Sequence, residues 1–167
     1  MPSVDLSKLT FRLVANEKEV RDAHLIEETG YPADEAASLS AMLYRFQTAP
    51  ELFLGAFDAD GIVGYIMSTR SSLPLVTHEA MERSDPKGQT VCIHSVCTRQ
   101  DWQHKGLATQ LLLKYTELAR ELGNVSRLAM MSRENLVGFY ERVGYKCLGP
   151  SDVQHGEEKW YDCIIVL

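Results

Sequence analysis

The sequence lacks three features, each of which would assign it to a particular class of protein. No uninterrupted apolar stretch approaches the roughly 18 to 20 residues that a membrane-spanning helix requires. Residues 1–10 do not show the basic and then apolar arrangement of a secretory signal. Seventeen basic against 23 acidic residues, a formal net charge of -6, offer no cationic field to a polyphosphate backbone. We therefore expect a soluble protein with neither a membrane nor a nucleic-acid partner.

Cysteine is scarce, and its placement argues against a disulfide framework. The four cysteines, Cys92, Cys97, Cys147 and Cys163, lie in apolar or alternating segments. We interpret them as reduced thiols of a cytoplasmic protein. No metal site is expected, because structural zinc needs four converging ligands and an extended strand directs Cys97 away from Cys92 and His94.

The remaining composition is that of one globular domain. A chain of 167 residues with 45% hydrophobic and 24% charged residues is long enough to bury a single core. Asp60-Gly61, between two β-branched and aromatic runs, predicts a tight hairpin. We expect a single mixed α+β domain over residues 1–167, irregular at 68–88. Periodicity and turn residues predict helices at 16–28, 34–47, 106–122 and 135–143, and strands at 10–14, 52–57, 62–67, 89–98, 127–131, 145–148 and 159–166.

The most informative segment is Gln103–Ala108, between a predicted strand and the long predicted helix. A glycine and a small residue at the first turn let the backbone approach a ligand closely. The unpaired N–H groups and the positive end of the helix dipole favour a pyrophosphate there, and Lys105 adds a formal charge. Glycine-containing helix starts are common, so a plain helix entry is an equally good interpretation of this segment alone.

This segment resembles the signature of the GNAT superfamily of acyl-CoA-dependent N-acetyltransferases. Gln103, Gly106 and Ala108 match its Gln/Arg-x-x-Gly-x-Gly/Ala pattern, which follows a strand and opens a helix. The order of predicted elements is also similar over nearly the whole chain. The resemblance implies a GNAT fold, with a central, mixed, mostly antiparallel seven-stranded sheet flanked by about four helices. It also implies acetyl-CoA as cosubstrate and no metal.

Within the superfamily, the chain is similar to the serotonin (arylalkylamine) N-acetyltransferases, particularly their non-vertebrate members. Residues 28–38, 75–79 and 93–98 carry the likeness, together with Phe139-Tyr140 and Gly144-Tyr145. The resemblance implies direct acetyl transfer from acetyl-CoA to the primary amine of a small arylalkylamine, without an obligate protein partner. A di- or polyamine acceptor and a non-catalytic CoA-binding sensor remain alternatives.

The resemblance also implies roles for individual residues. Tyr140 matches the general acid, and His94, with Cys92, matches the strand positions that relay the amine proton. Met131 and Trp160 match substrate-side positions. The implied cofactor-binding residues are Val96, Cys97, Thr98, Gln103, His104, Lys105, Gly106, Leu107, Ala108, Thr109, Asn135 and Tyr140.

The chain departs from the family at one catalytic position. Vertebrate members present His-x-His where this sequence has Cys92-x-His94. A thiol with a pKa near 8.5 relays protons less well at neutral pH than an imidazole near 6.5. Proton removal then depends on His94 with ordered water, on a group not identified, or is less assisted. Asp34, Glu35, Glu79 and Glu82 could attract a cationic amine, although acidic residues of this kind mostly serve capping and solvation.

Overall fold

A seven-stranded sheet organises residues 6–167, the part of the chain that the computed structural model describes. The strands lie in the order β1-β2-β3-β4-β5-β7-β6, and every neighbouring pair is antiparallel except β4 and β5. The expected mixed, mostly antiparallel sheet is therefore confirmed. The strands are β1 (Thr10–Leu13), β2 (Leu54–Asp58), β3 (Gly61–Ser71), β4 (Thr90–Thr98), β5 (Arg127–Arg133), β6 (Lys146–Pro150) and β7 (Trp160–Val166).

Five α-helices pack on the two faces of the sheet, and their caps explain where they begin. The Asn16 side chain accepts from the Glu19 N–H, as the sequence predicts for the start of the first helix. The second helix begins at Leu39 and not at residue 34, because Pro32 starts a turn and the Ser38 hydroxyl caps the helix. The helices are α1 (Glu17–Gly30), α2 (Leu39–Thr48), α3 (His78–Glu82), α4 (Leu107–Leu122) and α5 (Val137–Arg142).

Strand β3 is longer than predicted. The hairpin that precedes it is confirmed, with Asp58 Oδ1 accepting from the N–H groups of Asp60 and Gly61. The prediction ended β3 at residue 67, but the strand continues through Ser71 because Ser68–Ser71 pair with β4. Polar residues that look like a loop in the sequence are thus buried in the centre of the sheet.

Two irregularities in β4 create space at the middle of the sheet. Ser68 pairs with Ile93 and Met67 pairs with Ser95, so His94 is the extra residue of a β-bulge. Strand β5 pairs with β4 only as far as the couple Ile93–Met130, although both strands continue beyond it. The two parallel strands therefore separate after Ile93 and leave a gap between them.

The core is divided by the sheet. On one face α4 and α5 pack on a large cluster that includes Ile66, Ile93 and Met130. On the other face α1 and α2 cover a cluster around Tyr65 and Met67, and α3 covers a smaller one. No helix among residues 6–167 is long and apolar enough to cross a bilayer.

Candidate active site

A cavity of about 720 Å³ occupies the gap between β4 and β5. One half is lined by the C-terminal part of β4, the start of α4 and α5. The other half is lined by the α1–α2 loop, α2, α3, the end of β5 and the β6–β7 loop. The cavity therefore joins a helix N-terminus to the centre of the sheet.

The turn before α4 has the conformation that the sequence predicts for an anion-binding site. Gly106 has a φ of +87°, and no side chain caps the first turn of α4. The first N–H groups of the helix are left for a ligand, because no intrahelical acceptor exists for them. The predicted cofactor residues of this turn that line the cavity are Gln103, His104, Gly106, Leu107, Ala108 and Thr109.

Lys105 is the exception within this turn. Its Nζ donates to the Asp101 carbonyl at 2.6 Å and lies 5.8 Å from the centre of the Trp102 ring. It does not line the cavity. Its charge therefore lies beside the α4 turn and outside the lining of the cavity.

The residues of β4 that follow the bulge line the same half of the cavity. Val96 lines the cavity, and both its backbone groups bond to the Tyr31 hydroxyl: its N–H donates at 3.3 Å and its C=O accepts at 3.1 Å. The Cys97 side chain packs under α1, and its burial raises the pKa of the thiol to about 12. Cys97 therefore contributes backbone and packing rather than a reactive thiolate.

His94 lies at the junction of the two halves, in a hydrogen-bonded group with Thr69 and Ala80. Thr69 Oγ1 donates to the Ala80 carbonyl at 2.6 Å and lies 2.8 Å from His94 Nε2. These contacts hold the imidazole ring in place between β3 and α3. Burial first, and the charge of Arg45 second, lower the pKa of His94 well below its ordinary value. The imidazole is therefore neutral at neutral pH, and the same two effects make it a weaker base than an exposed histidine.

Cys92 is not brought to the cavity. It is fully buried under α3, and burial raises the pKa of its thiol to about 12. The sequence-based statement that Cys97 points away from Cys92 is wrong. The bulge at His94 shifts the strand by one residue, so Cys92 opposite Thr69 and Cys97 opposite Tyr65 share one face of the sheet. Among the described residues, no group of three or more His, Cys, Asp or Glu side chains is arranged to hold a metal ion.

Tyr140 lines the half of the cavity that contains the α4 turn, and Asn135 lies nearby. Its ring packs edge-on against Phe139 and Tyr145, with centroids 5.1 and 5.9 Å apart. Burial raises the pKa of Tyr140, and the neighbouring Cys163 raises it further. The phenol therefore stays protonated at neutral pH and remains a hydrogen-bond donor.

The other half of the cavity contains both predicted substrate-side residues. Trp160 donates from Nε1 to the His155 carbonyl at 2.6 Å, which fixes its ring, and Met131 lies on the neighbouring strand. Of the four acidic residues considered from the sequence, only Glu35 lines the cavity. Its two oxygens accept from Arg133 at 2.6 and 2.7 Å, an ion pair that joins the α1–α2 loop to β5.

Several residues that line the cavity belong to no sequence motif, so the sequence analysis did not assign them to the site. Glu27 is 1% exposed and accepts from the Tyr65 hydroxyl and from the Ala37 N–H. Arg45 is a charged residue inside the apolar pattern of α2, which is the one signal in the sequence that marks it. The residues missed are Glu27, Tyr31, Arg45, Arg133 and His155.

Comparisons with known proteins agree with this geometry. The model of the acetyltransferase (GNAT) family matches residues 18–145. Serotonin N-acetyltransferase of Mesocricetus auratus is 29% identical over 107 residues, which cover 64% of this chain and 52% of that protein. The Homo sapiens enzyme of that name is 26% identical over the same length and the same shares of both chains. The chain thus spans about half the length of the curated relatives it matches.

Solved structures show the same fold at low sequence identity. The GphF GNAT-like decarboxylase in complex with isobutyryl-CoA superposes with a TM-score of 0.83 and 16% identity, covering 94% of this chain and 98% of that one. The family match covers most of the chain and includes both the α4 turn and Tyr140. The chain therefore belongs to the acetyltransferase (GNAT) family.

Proposed function

We propose that this chain transfers the acetyl group of acetyl-CoA to the primary amine of a small arylalkylamine of the serotonin or tryptamine type. The observation that carries the proposal is the continuity of the cavity. It runs from the uncapped turn of α4, past Tyr140, to His94 and the aromatic half around Trp160. A thioester held by the turn would thus meet an amine held near His94.

The residues at the junction suit direct transfer. An alkyl amine arrives protonated, and the neutral imidazole of His94, which lines the cavity, accepts its proton directly or through water. The amine nitrogen then forms a bond to the thioester carbon while the carbon–sulfur bond breaks. The Val96 N–H is positioned to donate to the developing oxyanion once the Tyr31 hydroxyl leaves it. The Tyr140 phenol gives its proton to the departing thiolate, and the proton that the new amide nitrogen loses restores the phenol, directly or through water. Because the amine attacks the thioester itself, no acyl-enzyme forms.

The acceptor half favours an aryl group over a second ammonium group. Its apolar surface comes from Val76, Met81, Met131 and Trp160. Glu27 and Glu35, the carboxylates among the described lining residues, are already hydrogen-bonded or ion-paired. A distal ammonium of a polyamine would find no free carboxylate among these lining residues.

The proposal is tested by steady-state release of free CoA thiol with tryptamine and with spermidine as acceptors. We expect turnover with both the cosubstrate and tryptamine present, and a much lower kcat/KM for spermidine. Preference for spermidine would replace the arylalkylamine by a polyamine as acceptor. Binding of acetyl-CoA without turnover of any amine would identify a CoA-binding sensor instead.

A further inference from the structure

The acceptor half of the cavity contains one buried cation whose hydrogen-bonding capacity is not used. Arg45 lines the cavity and is 6% exposed. One terminal nitrogen of its guanidinium donates to the Met81 carbonyl at 2.9 Å, and the other contacts only the Met67 sulfur at 3.8 Å. The third nitrogen, Nε, is buried without a partner.

The charge of Arg45 is also under-compensated. None of the ion pairs formed by the described residues includes it. The nearby Glu27 carboxylate is held instead by the Tyr65 hydroxyl and the Ala37 N–H. Burial lowers the pKa of Arg45 to about 10, and Glu27 opposes this only in part. A buried guanidinium in this condition is stabilised by a carboxylate partner through charge-assisted, often bidentate hydrogen bonds.

The position of Arg45 relates this unused capacity to the reaction. Arg45 and His94 line the same cavity, and the charge of Arg45 is close enough to act on the imidazole. Apolar surface from Val76 and Met81 lies between α2 and α3 on the same side. An acceptor with its amine at His94 would therefore present a substituent close to that amine toward the guanidinium.

We propose that Arg45 binds a carboxylate of the acceptor, so that among amines with an arylalkyl group those that also carry a carboxylate beside the amine, the aromatic amino acids, are preferred. This inference rests on the proposed acetyl transfer and makes its acceptor class more specific. Arg45 is on this view a specificity-determining residue that contacts the substrate. Its bond to Met81 also holds α3 in place, so the test must separate recognition from folding.

The test compares L-tryptophan with tryptamine, which differ by the carboxylate alone. We expect kcat/KM for L-tryptophan to exceed that for tryptamine by roughly tenfold to a hundredfold, as one charge-assisted hydrogen-bonded pair provides. Arg45→Met keeps an unbranched, flexible side chain and removes the charge and the donors, and it should abolish this ratio through KM. Arg45→Lys keeps the charge and should retain part of the preference. The KM for acetyl-CoA and the thermal midpoint serve as controls for folding.

A binding measurement decides the inference independently of turnover. With CoA present, calorimetry should show N-acetyl-L-tryptophan binding at least about tenfold more tightly than N-acetyltryptamine to the wild-type chain. The preference should disappear in Arg45→Met. Equal affinities would overturn the carboxylate proposal, and so would a preference for serotonin over L-tryptophan, which would assign a neutral hydroxyl to Arg45. Absence of turnover with every amine, with the binding preference intact, would refute acetyl transfer and leave the carboxylate site standing.

Discussion

Among single residues, Tyr31 and Tyr140 line the same cavity but differ in the hydrogen bonds of their hydroxyl groups. Tyr140 packs between Phe139 and Tyr145, and its hydroxyl has no protein partner recorded among the described residues. The hydroxyl of Tyr31 instead bonds both backbone groups of Val96. Burial raises the pKa of both phenols, so each is a donor at neutral pH. Only Tyr140 is free to donate to a leaving thiolate.

Tyr140→Phe removes this donor and leaves the ring packing in place. We expect kcat to fall by roughly tenfold to a thousandfold, the range typical for loss of a general acid. Acetyl-CoA affinity, measured by calorimetry on the same variant, should change little. An unchanged kcat would exclude Tyr140 as the acid.

Tyr31→Phe should change the KM for acetyl-CoA, whereas Tyr140→Phe should change kcat. Removing the hydroxyl frees the Val96 N–H for the thioester, so we expect a lower KM for acetyl-CoA. The loss of two hydrogen bonds should lower the free energy of unfolding by about 1 kcal/mol. Steady-state kinetics and urea unfolding measure the two effects separately. A raised KM would show that the Tyr31 hydroxyl assists cosubstrate binding and does not compete with it.

Residue identity in the sequence predicted part of this site. His94, Val96 and Tyr140 line the cavity where the family resemblance implied them. Tyr31 was not assigned, because its contact joins residues 65 positions apart and depends on how the α1–α2 loop folds back. No local pattern contains that information.

At the scale of elements, the start of α4 depends on one backbone conformation. Gly106 adopts a φ of +87°, which a residue with a Cβ reaches only at a cost. This conformation directs the first N–H groups of α4 into the cavity. Gly123 has a φ of +75° at the other end of the same helix, away from the cavity.

These two glycines form a matched pair for mutation. Gly106→Ala and Gly123→Ala each impose a strained backbone of about 1 to 2 kcal/mol, without a steric clash within 3.4 Å. We expect both to lower the free energy of unfolding, and only Gly106→Ala to weaken CoA binding in calorimetry. Equal CoA affinities in the two variants would contradict a role for the α4 turn.

The sequence predicted the elements that depend on adjacent residues and missed those that depend on pairing with a distant strand. The β2–β3 hairpin and the start of α1 depend on adjacent residues, Asp58 to Gly61 and Asn16 with Glu19, and both were predicted. The bulge at His94 was not, because inserting one residue changes no composition and is set by pairing with β3. That missed bulge caused the wrong orientation assigned to Cys97.

At the scale of the whole molecule, the site exists because two parallel strands separate in the middle of a sheet. The separation places His94, a half-buried neutral imidazole, in the lining of the cavity. A base whose pKa is lowered by folding binds fewer protons in the folded state than in the unfolded chain. Its contribution to stability is therefore complete above the unfolded pKa near 6.5 and is lost as the pH falls below it.

This linkage predicts acid sensitivity. When the pH falls from 7 to 5.5, the free energy of unfolding of the wild-type chain should decrease by about 1 kcal/mol more than that of His94→Gln. Urea unfolding of both proteins at the two pH values measures the difference. Identical losses in the two proteins would indicate that His94 titrates normally in the folded state.

In the proposed reaction, the α4 turn and the separated strands hold acetyl-CoA with its thioester beside His94. The most direct measurement is a crystal structure of the chain with CoA. We predict the pyrophosphate on the backbone amides of residues 103–109, the sulfur next to the Tyr140 hydroxyl, and Tyr31 displaced from Val96. Coenzyme bound outside the cavity, or a sulfur remote from Tyr140, would contradict the account.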